Sequence, residues 1–128
     1  MPINKTASLR GVTLATELTL KALLLATKGR FPRVHSLRAL LGDLPDAPRR
    51  RLDALHRGLY RAHHPGAGDD EADAALAAIA GAAGDAFQAA RYPYDHDLGA
   101  VPDPEPLRRV ARGLLLELLE PGGRRRRR

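Results

Sequence analysis

The sequence predicts an all-α fold, an antiparallel bundle of about five helices. Apolar residues recur with a period near 3.6 in every segment, and no segment alternates as a half-buried strand would. The hydrophobic content of 44% is mostly Leu and Ala, which favour helix, while β-branched residues are scarce. A chain of 128 residues fits one domain. We therefore expect a helical domain over residues 1–120 and a disordered arginine-rich tail over residues 121–128.

The first helix should run from residue 6 or 7 to residue 27. Gly29 is a natural residue just beyond a helix end, and Pro32 prevents the helix from continuing. This segment is apolar enough to be the central helix of a bundle. Its predicted inward face comprises Leu14, Leu18, Ala22 and Leu25, widened by Leu20, Leu23 and Leu24.

Four shorter helices should follow. Ser36 can cap a second helix that ends at Pro45, and a third should begin near Pro48. Residues 63–68 have the composition of a loop, and the acidic residues 69–71 suit the start of a fourth helix. After a proline-containing loop over residues 91–102, the Asp-Pro-Glu sequence at 103–105 is a strong start signal for a fifth helix, which should end near residue 120.

The positive charge is concentrated at the C-terminus. The formal net charge is +6, and Arg124–Arg128 supply five of these charges, so the rest of the chain is nearly neutral. Adjacent arginines repel one another and remain solvated. The tail could be a phosphate-binding arm for RNA or another polyanion. The alternative is a charged terminus without a function.

Several classes of protein are disfavoured by composition. The chain has no Cys, which excludes a disulfide framework and thiolate chemistry. Its apolar runs are too short to cross a membrane, and the N-terminus lacks a signal-peptide pattern, so we expect a cytoplasmic protein without a membrane partner. His56, His63 and His64 lack acidic or Cys residues at ligand spacing, so solvated histidines are a better interpretation than a metal site. We predict no metal and no cofactor.

One acid and one base stand inside the apolar first helix. Glu17 and Lys21 are four residues apart, in the order that favours an ion pair on a helix. If this pair is buried, each charge needs a partner, which would indicate a polar patch between the first and fifth helices or a dimer contact. If it is exposed, it is an ordinary surface pair.

Three segments together resemble the HEPN domain family. Residues 17–25 are similar to the family's Glu-Leu-x-Leu-Lys-x-Leu-Leu helix. The segment that joins the first and second predicted helices resembles the family's Gly…Pro…His-Asp-Leu-x-x-Leu-Leu pattern, with Ser36 in place of Asp. Its matching residues are Gly29, Pro32, His35, Leu37, Leu40 and Leu41. Arg91-Tyr92-Pro93 is similar to the Arg-Tyr-Pro-Asp motif before the last helix, although Tyr94 displaces the Asp by one position.

The resemblance implies an all-helical bundle that often dimerises and binds RNA or nucleotide. HEPN ribonucleases carry an Arg followed, after a gap of four to six residues, by a His. Several pairs here have that spacing: Arg30 with His35, Arg51 with His56, Arg57 with His63, and Arg91 with His96. Only the last lies between the fourth and fifth helices, where the motif is expected. In that role Arg91 would hold phosphate and His96 would transfer a proton at the 2′-hydroxyl without a metal.

The resemblance implies a HEPN-type RNA- or nucleotide-binding protein of a toxin–antitoxin or defence system, and in its most specific form a metal-independent ribonuclease. The predicted site contains two catalytic and five ligand-binding residues: Arg91 and His96; Tyr92, Lys21, Glu17, His35 and Arg33. A homodimer is expected. The alternative is a non-catalytic interaction module, a partner or substrate-binding subunit of a nucleotidyltransferase antitoxin, because the Arg-Tyr-Pro type often lacks the ribonuclease pair.

Overall fold

The computed structural model describes the backbone of residues 5–89 and 103–120, and the side chains of residues 11–81 and 103–120. This part of the chain forms five α-helices and contains no strand: α1 (Lys5–Lys28), α2 (Leu37–Gly42), α3 (Asp46–His63), α4 (Asp69–Ala89) and α5 (Glu105–Leu119). The predicted fold class, an antiparallel helical bundle, is confirmed. The predicted loop residues Arg91, Tyr92 and His96 lie outside the described residues, as does the arginine tail.

The predicted helix signals act at the positions where the sequence places them. Gly29 ends α1 with φ +79, a left-handed conformation that favours glycine, and its N–H donates to the carbonyl of Leu25. The Ser36 hydroxyl accepts from the N–H of Ala39 at 3.1 Å and caps α2. The carboxylate of Asp103 accepts from the N–H of Glu105 at 2.9 Å at the start of α5.

The prediction for the start of α3 was wrong by two residues. The helix begins at Asp46 rather than near Pro48. Pro48 is accommodated because it lies in the first turn, where a backbone N–H has no partner within the helix.

A leucine-rich core lies between the helices. α1 packs most extensively against α5 and also contacts α2 and α4, while α3 packs against α4 and α5. The largest apolar side chains with no exposed surface are Leu20, Leu23, Leu24, Leu37, Leu40, Leu52 and Leu107. Burial of each such side chain contributes about 1.5–3 kcal/mol. The core therefore fixes the orientation of α1, and with it the polar residues that α1 carries.

The predicted inward face of α1 was wrong in part. Leu20, Leu23 and Leu24 are buried, but Leu14, Leu18 and Leu25 are 46%, 56% and 52% exposed. Since leucines surround most of this helix, their period could not distinguish the face that packs from the face that does not. The buried sector instead includes the polar residues Thr13, Thr16 and Glu17.

Among the described residues, no helix has the length and apolar character needed to cross a membrane.

Candidate functional site

Glu17 is the centre of a buried polar group on α1. Its side chain is 3% exposed, and its Oε2 accepts two hydrogen bonds at 2.9 Å, one from Lys21 Nζ and one from His35 Nδ1. A carboxylate can only accept, so Nδ1 carries the hydrogen in this contact. Oε1 of Glu17 is also buried and has no hydrogen-bond partner among the described residues. One acid on α1 thus fixes two basic side chains from different turns of the chain.

The side chains of the two bases are more exposed to solvent than the side chain of Glu17. The Lys21 side chain is 16% exposed and that of His35 is 72% exposed. Burial of the carboxylate strengthens its attraction for Lys21 and excludes the exposed-pair interpretation. The arrangement presents a lysine and a histidine at the surface while the compensating negative charge stays beneath them.

The loop between α1 and α2 adds further positive charge and an aromatic ring. Phe31 is 42% exposed, and Lys21 Nζ lies 5.7 Å from its ring centroid, within cation–π range. Arg30 and Arg33 flank this region with exposed side chains that form no ion pair with any described residue. We call Lys21, Arg30, Phe31, Arg33 and His35 the α1–α2 basic surface.

The structure brings together three of the predicted ligand-binding residues, Glu17, Lys21 and His35. Arg33 lies on the same loop but outside their hydrogen-bonded group. Within the described residues, the partners of Glu17 come from α1 and the α1–α2 loop, whereas one expectation for a buried pair was a polar patch between the first and fifth helices.

Phe31 was missed by the sequence analysis, and Arg30 was noted there only for its spacing from His35. Their adjacency, a base next to an aromatic residue in a short loop, is the signal that could have found them.

Three of the four Arg–His spacings lie within the described residues. Arg30 and His35 are both exposed on the α1–α2 basic surface, and the arginines of the other two meet acids of neighbouring helices. Arg51 pairs with Glu117 on α5, whereas His56 is buried. Arg57 forms a forked pair with Asp73 of α4 at 2.9 and 2.7 Å. Both arginines are thus engaged in ion pairs between helices.

A second polar region lies between α3, α4 and the start of α5. It surrounds a cavity of about 380 Å³ whose walls include His56, Tyr60, His64, Ile79 and Arg109. His56 is 1% exposed, which corrects the expectation that it is solvated, whereas His63 and His64 are exposed as expected. The Nδ1 of His56 is buried and has no hydrogen-bond partner among the described residues.

Burial determines the charge state of His56. Removal from water lowers its pKa below the ordinary value of 6.5, because the charged imidazolium loses more hydration than the neutral ring. The charges of Asp53 and Asp73 oppose this shift without overcoming it. His56 is therefore a neutral ring at neutral pH, with one donor and one acceptor nitrogen.

Acidic side chains near the cavity are already engaged. Arg108 forms a two-pronged contact with Glu105 and lowers the pKa of that carboxyl. Tyr60 donates to Glu71 Oε2 at 2.9 Å, which raises the pKa of the phenol. The described side chains include no group of three or more His, Cys, Asp or Glu residues arranged to hold a metal ion.

In a comparison with protein families, the model of the HEPN domain matches residues 7–97. The match covers well over half of the chain and contains α1 from residue 7 onward, all of α2 to α4 and the whole α1–α2 basic surface. The chain belongs to the HEPN domain family. Helix α5 lies beyond the matched segment. Comparison with curated proteins and with solved structures gives no match.

Proposed function

We propose that this HEPN domain protein binds RNA or nucleotide through the α1–α2 basic surface. The observation that carries the proposal is the buried Glu17 carboxylate, which holds Lys21 and His35 at the surface beside Phe31. Membership of the HEPN family supports a role in a cytoplasmic toxin–antitoxin or defence system.

The side-chain types on this surface suit a single-stranded nucleic acid. Arg30 and Arg33 can neutralise phosphates, and an exposed aromatic ring such as Phe31 can stack on a base of any sequence. Fixing Lys21 and His35 through Glu17 reduces the conformational freedom that they would lose on binding. These contacts favour a phosphate-led interaction with weak sequence preference.

The test is the salt dependence of binding to a fluorescent single-stranded RNA, measured by anisotropy. Arg33→Gln should weaken binding and reduce the slope of log K against log salt by about 0.7, the value for one phosphate contact on a single strand. Arg50→Gln is the matched control, since Arg50 is an exposed arginine on α3 outside this surface. Equal effects of the two substitutions would refute the proposed surface.

The more specific form of this function is a metal-independent ribonuclease that uses Arg91 and His96. The support for it is membership of the HEPN family together with the spacing of these two residues. His would move the proton at the 2′-hydroxyl and Arg would bind the phosphate. RNA cleavage by the wild type in a chelator should be lost in His96→Ala. Equal cleavage by both proteins, or by neither, would remove the ribonuclease and leave the binding function.

The expected homodimer is supported by the exposed leucines of α1. Leu14, Leu18 and Leu25 follow one side of the helix over about 16 Å. Lys21 lies among these leucines, and Glu17 compensates its charge. A row of leucines of this kind can pack against its own copy about a twofold axis. Sedimentation should give a dimer for the wild type and a monomer for Leu18→Glu, while Arg50→Glu stays dimeric. A wild-type monomer at micromolar concentration would contradict this part of the proposal.

The same row of leucines is the observation that favours the second candidate function, a non-catalytic module that binds a nucleotidyltransferase partner. This candidate predicts no cleavage by the wild type and loss of partner binding in Leu18→Glu. If co-expression with a minimal nucleotidyltransferase encoded next to this protein gave no complex, the second candidate would fail.

A further inference from the structure

Gly81 lies against the side chain of Arg38, where α4 packs on α2. A Cβ atom at position 81 would lie 3.3 Å from Cζ of Arg38 and 3.8 Å from its Nε, and it would overlap the terminal Nη2. The guanidinium thus occupies the space that a side chain at position 81 would take. We propose that Arg38 binds a backbone phosphate of a single-stranded RNA and that Gly81 holds its guanidinium in position. This role rests on the proposed function and adds two residues to it.

The guanidinium of Arg38 is held by packing rather than by an acid. Arg38 is exposed, and its side chain forms no hydrogen bond or ion pair with any described residue. Arginines of α3 differ, since Arg57 pairs with Asp73 and Arg61 pairs with Asp69. A guanidinium carries five N–H donors in a fixed fork that fits the oxygens of a phosphate. Arg38 therefore presents oriented donors that no described acceptor uses.

Arg38 lies close to the bases of the α1–α2 basic surface. It follows His35 by three residues, so their Cα atoms are at most about 11 Å apart. His35 contacts Glu17 of α1, and Arg38 contacts Gly81 of α4, because α2 packs against both helices. A single strand carries a phosphate at every nucleotide, so one that binds beside His35 can also reach Arg38.

The charge of this part of the chain favours an anionic partner. Residues 11–42 contain five Lys or Arg residues and a single acid, Glu17, which is buried. The five bases are Lys21, Lys28, Arg30, Arg33 and Arg38. Glu17 compensates Lys21, and Asp43 pairs with Lys28. The three arginines remain without an ion pair to any described residue, and their positive potential attracts phosphate.

Gly81→Ala can separate the position of Arg38 from the stability of the bundle. The atoms that a Cβ would meet belong to the end of a flexible side chain, so the guanidinium can move aside while α4 stays in place. Alanine also has a higher helix propensity than glycine. The substitution should therefore displace the guanidinium of Arg38 and leave the protein folded.

The first experiment measures anisotropy of a fluorescent single-stranded RNA with the full chain. Arg38→Gln should weaken binding about three- to tenfold and reduce the slope of log K against log salt by about 0.7. Arg50→Gln, on α3, should change neither. If Arg38→Gln behaves like Arg50→Gln while Arg33→Gln weakens binding, the proposed function stands and the role of Arg38 is overturned. A wild type that binds no RNA would overturn both.

The second experiment is a double-mutant cycle that tests Gly81 as a positioning residue. Gly81→Ala should weaken RNA binding about threefold when Arg38 is present and have no effect in the Arg38→Gln background. Gly58→Ala is the matched control, because a Cβ on this exposed glycine of α3 would meet nothing within 4 Å. It should leave binding unchanged in both backgrounds. Equal losses from Gly81→Ala in the two backgrounds, or no loss in either, would overturn the positioning role of Gly81.

Discussion

Glu17 and His56 are the two ionisable side chains of the described core, and they differ in what surrounds them. Glu17 on α1 is 2% exposed and His56 on α3 is 1% exposed. Two bases donate to the carboxylate of Glu17, whereas the Nδ1 of His56 has no partner among the described residues. Equal burial thus produces two different outcomes, a compensated acid and an uncompensated neutral base.

The difference shows that the partners of a buried ionisable group decide what its burial does. A compensated acid organises groups above it, because Lys21 and His35 must remain close to the carboxylate. A buried ring without a partner instead carries the cost of an unmade hydrogen bond and stays neutral, because a charge there would lose its hydration. The α1–α2 basic surface therefore presents fixed basic groups outward, while the ring of His56 stays neutral in the wall of the α3–α4–α5 cavity.

Removal of Lys21 should have the largest effect on stability. In Lys21→Met the buried carboxylate of Glu17 keeps only His35 as a partner, which we expect to lower the free energy of unfolding by about 2–3 kcal/mol. Urea denaturation at neutral pH measures this change. The double variant Glu17→Leu/Lys21→Met should recover most of the loss, because no buried charge remains.

Lys28 provides the matched control for this prediction. It lies on the same helix and donates to Asp43 at 2.8 Å, but both side chains are a quarter to a third exposed. Lys28→Met should therefore cost less than about 1 kcal/mol. If the two lysine substitutions destabilised the protein equally, the burial of Glu17 would not be what makes its pair important.

The pH dependence of stability should separate the buried base from the buried acid. The pKa of His56 is lowered in the folded state, so below pH 6.5 the unfolded chain binds a proton that the folded chain does not. Stability contributed by the neutral ring is present above 6.5 and is lost as pH falls from 6.5 towards the lower folded pKa. In His56→Leu this part of the loss should disappear.

The measurement is a series of urea denaturations across that pH range. His63→Leu is the control, because His63 is an exposed histidine at the end of the same helix. The decline in stability with acid should remain in the control variant. An unchanged decline in His56→Leu would show that the folded state binds a proton at His56 as readily as the unfolded chain.

The sequence was sufficient to predict the five helices and the residues that form the polar group around Glu17. Caps such as Ser36 and Gly29 act through bonds to residues near them in sequence, so they can be found from local pattern. Glu17 and Lys21 are one helical turn apart, and their contact needs no knowledge of the fold. The resemblance to the HEPN family in the segment between α1 and α2 added His35 to the predicted site, although His35 lies 18 positions beyond Glu17.

Features that depend on packing between helices were not predictable in the same way. Leucines on both sides of α1 made its buried face ambiguous, and only the position of α2, α4 and α5 resolves it. His56 lies four residues after the buried Leu52, so helical spacing placed it on the inward face. Its polar ring favoured a solvated interpretation, and the wall that α5 contributes to the cavity was visible only in three dimensions.

The smallest predicted effect concerns the ion pairs around the buried base. Asp73→Asn removes the acid that pairs with Arg57, and since both side chains are more than a third exposed, stability should change by less than about 1 kcal/mol. The negative charge of Asp73 raises the pKa of His56, so its removal should move the titration of His56 to lower pH. NMR titration of the imidazole signals measures this shift.

Asp69→Asn is the matched control for that shift. Asp69 also pairs with Arg57 and with Arg61, yet its charge does not contribute to the pKa of His56. The His56 titration should therefore be the same in Asp69→Asn and the wild type. A shift of equal size in both variants would mean that His56 responds to the general field of the α3–α4 ion pairs. Its charge state would then depend on that field as well as on burial, and the contrast with Glu17 would be one of degree.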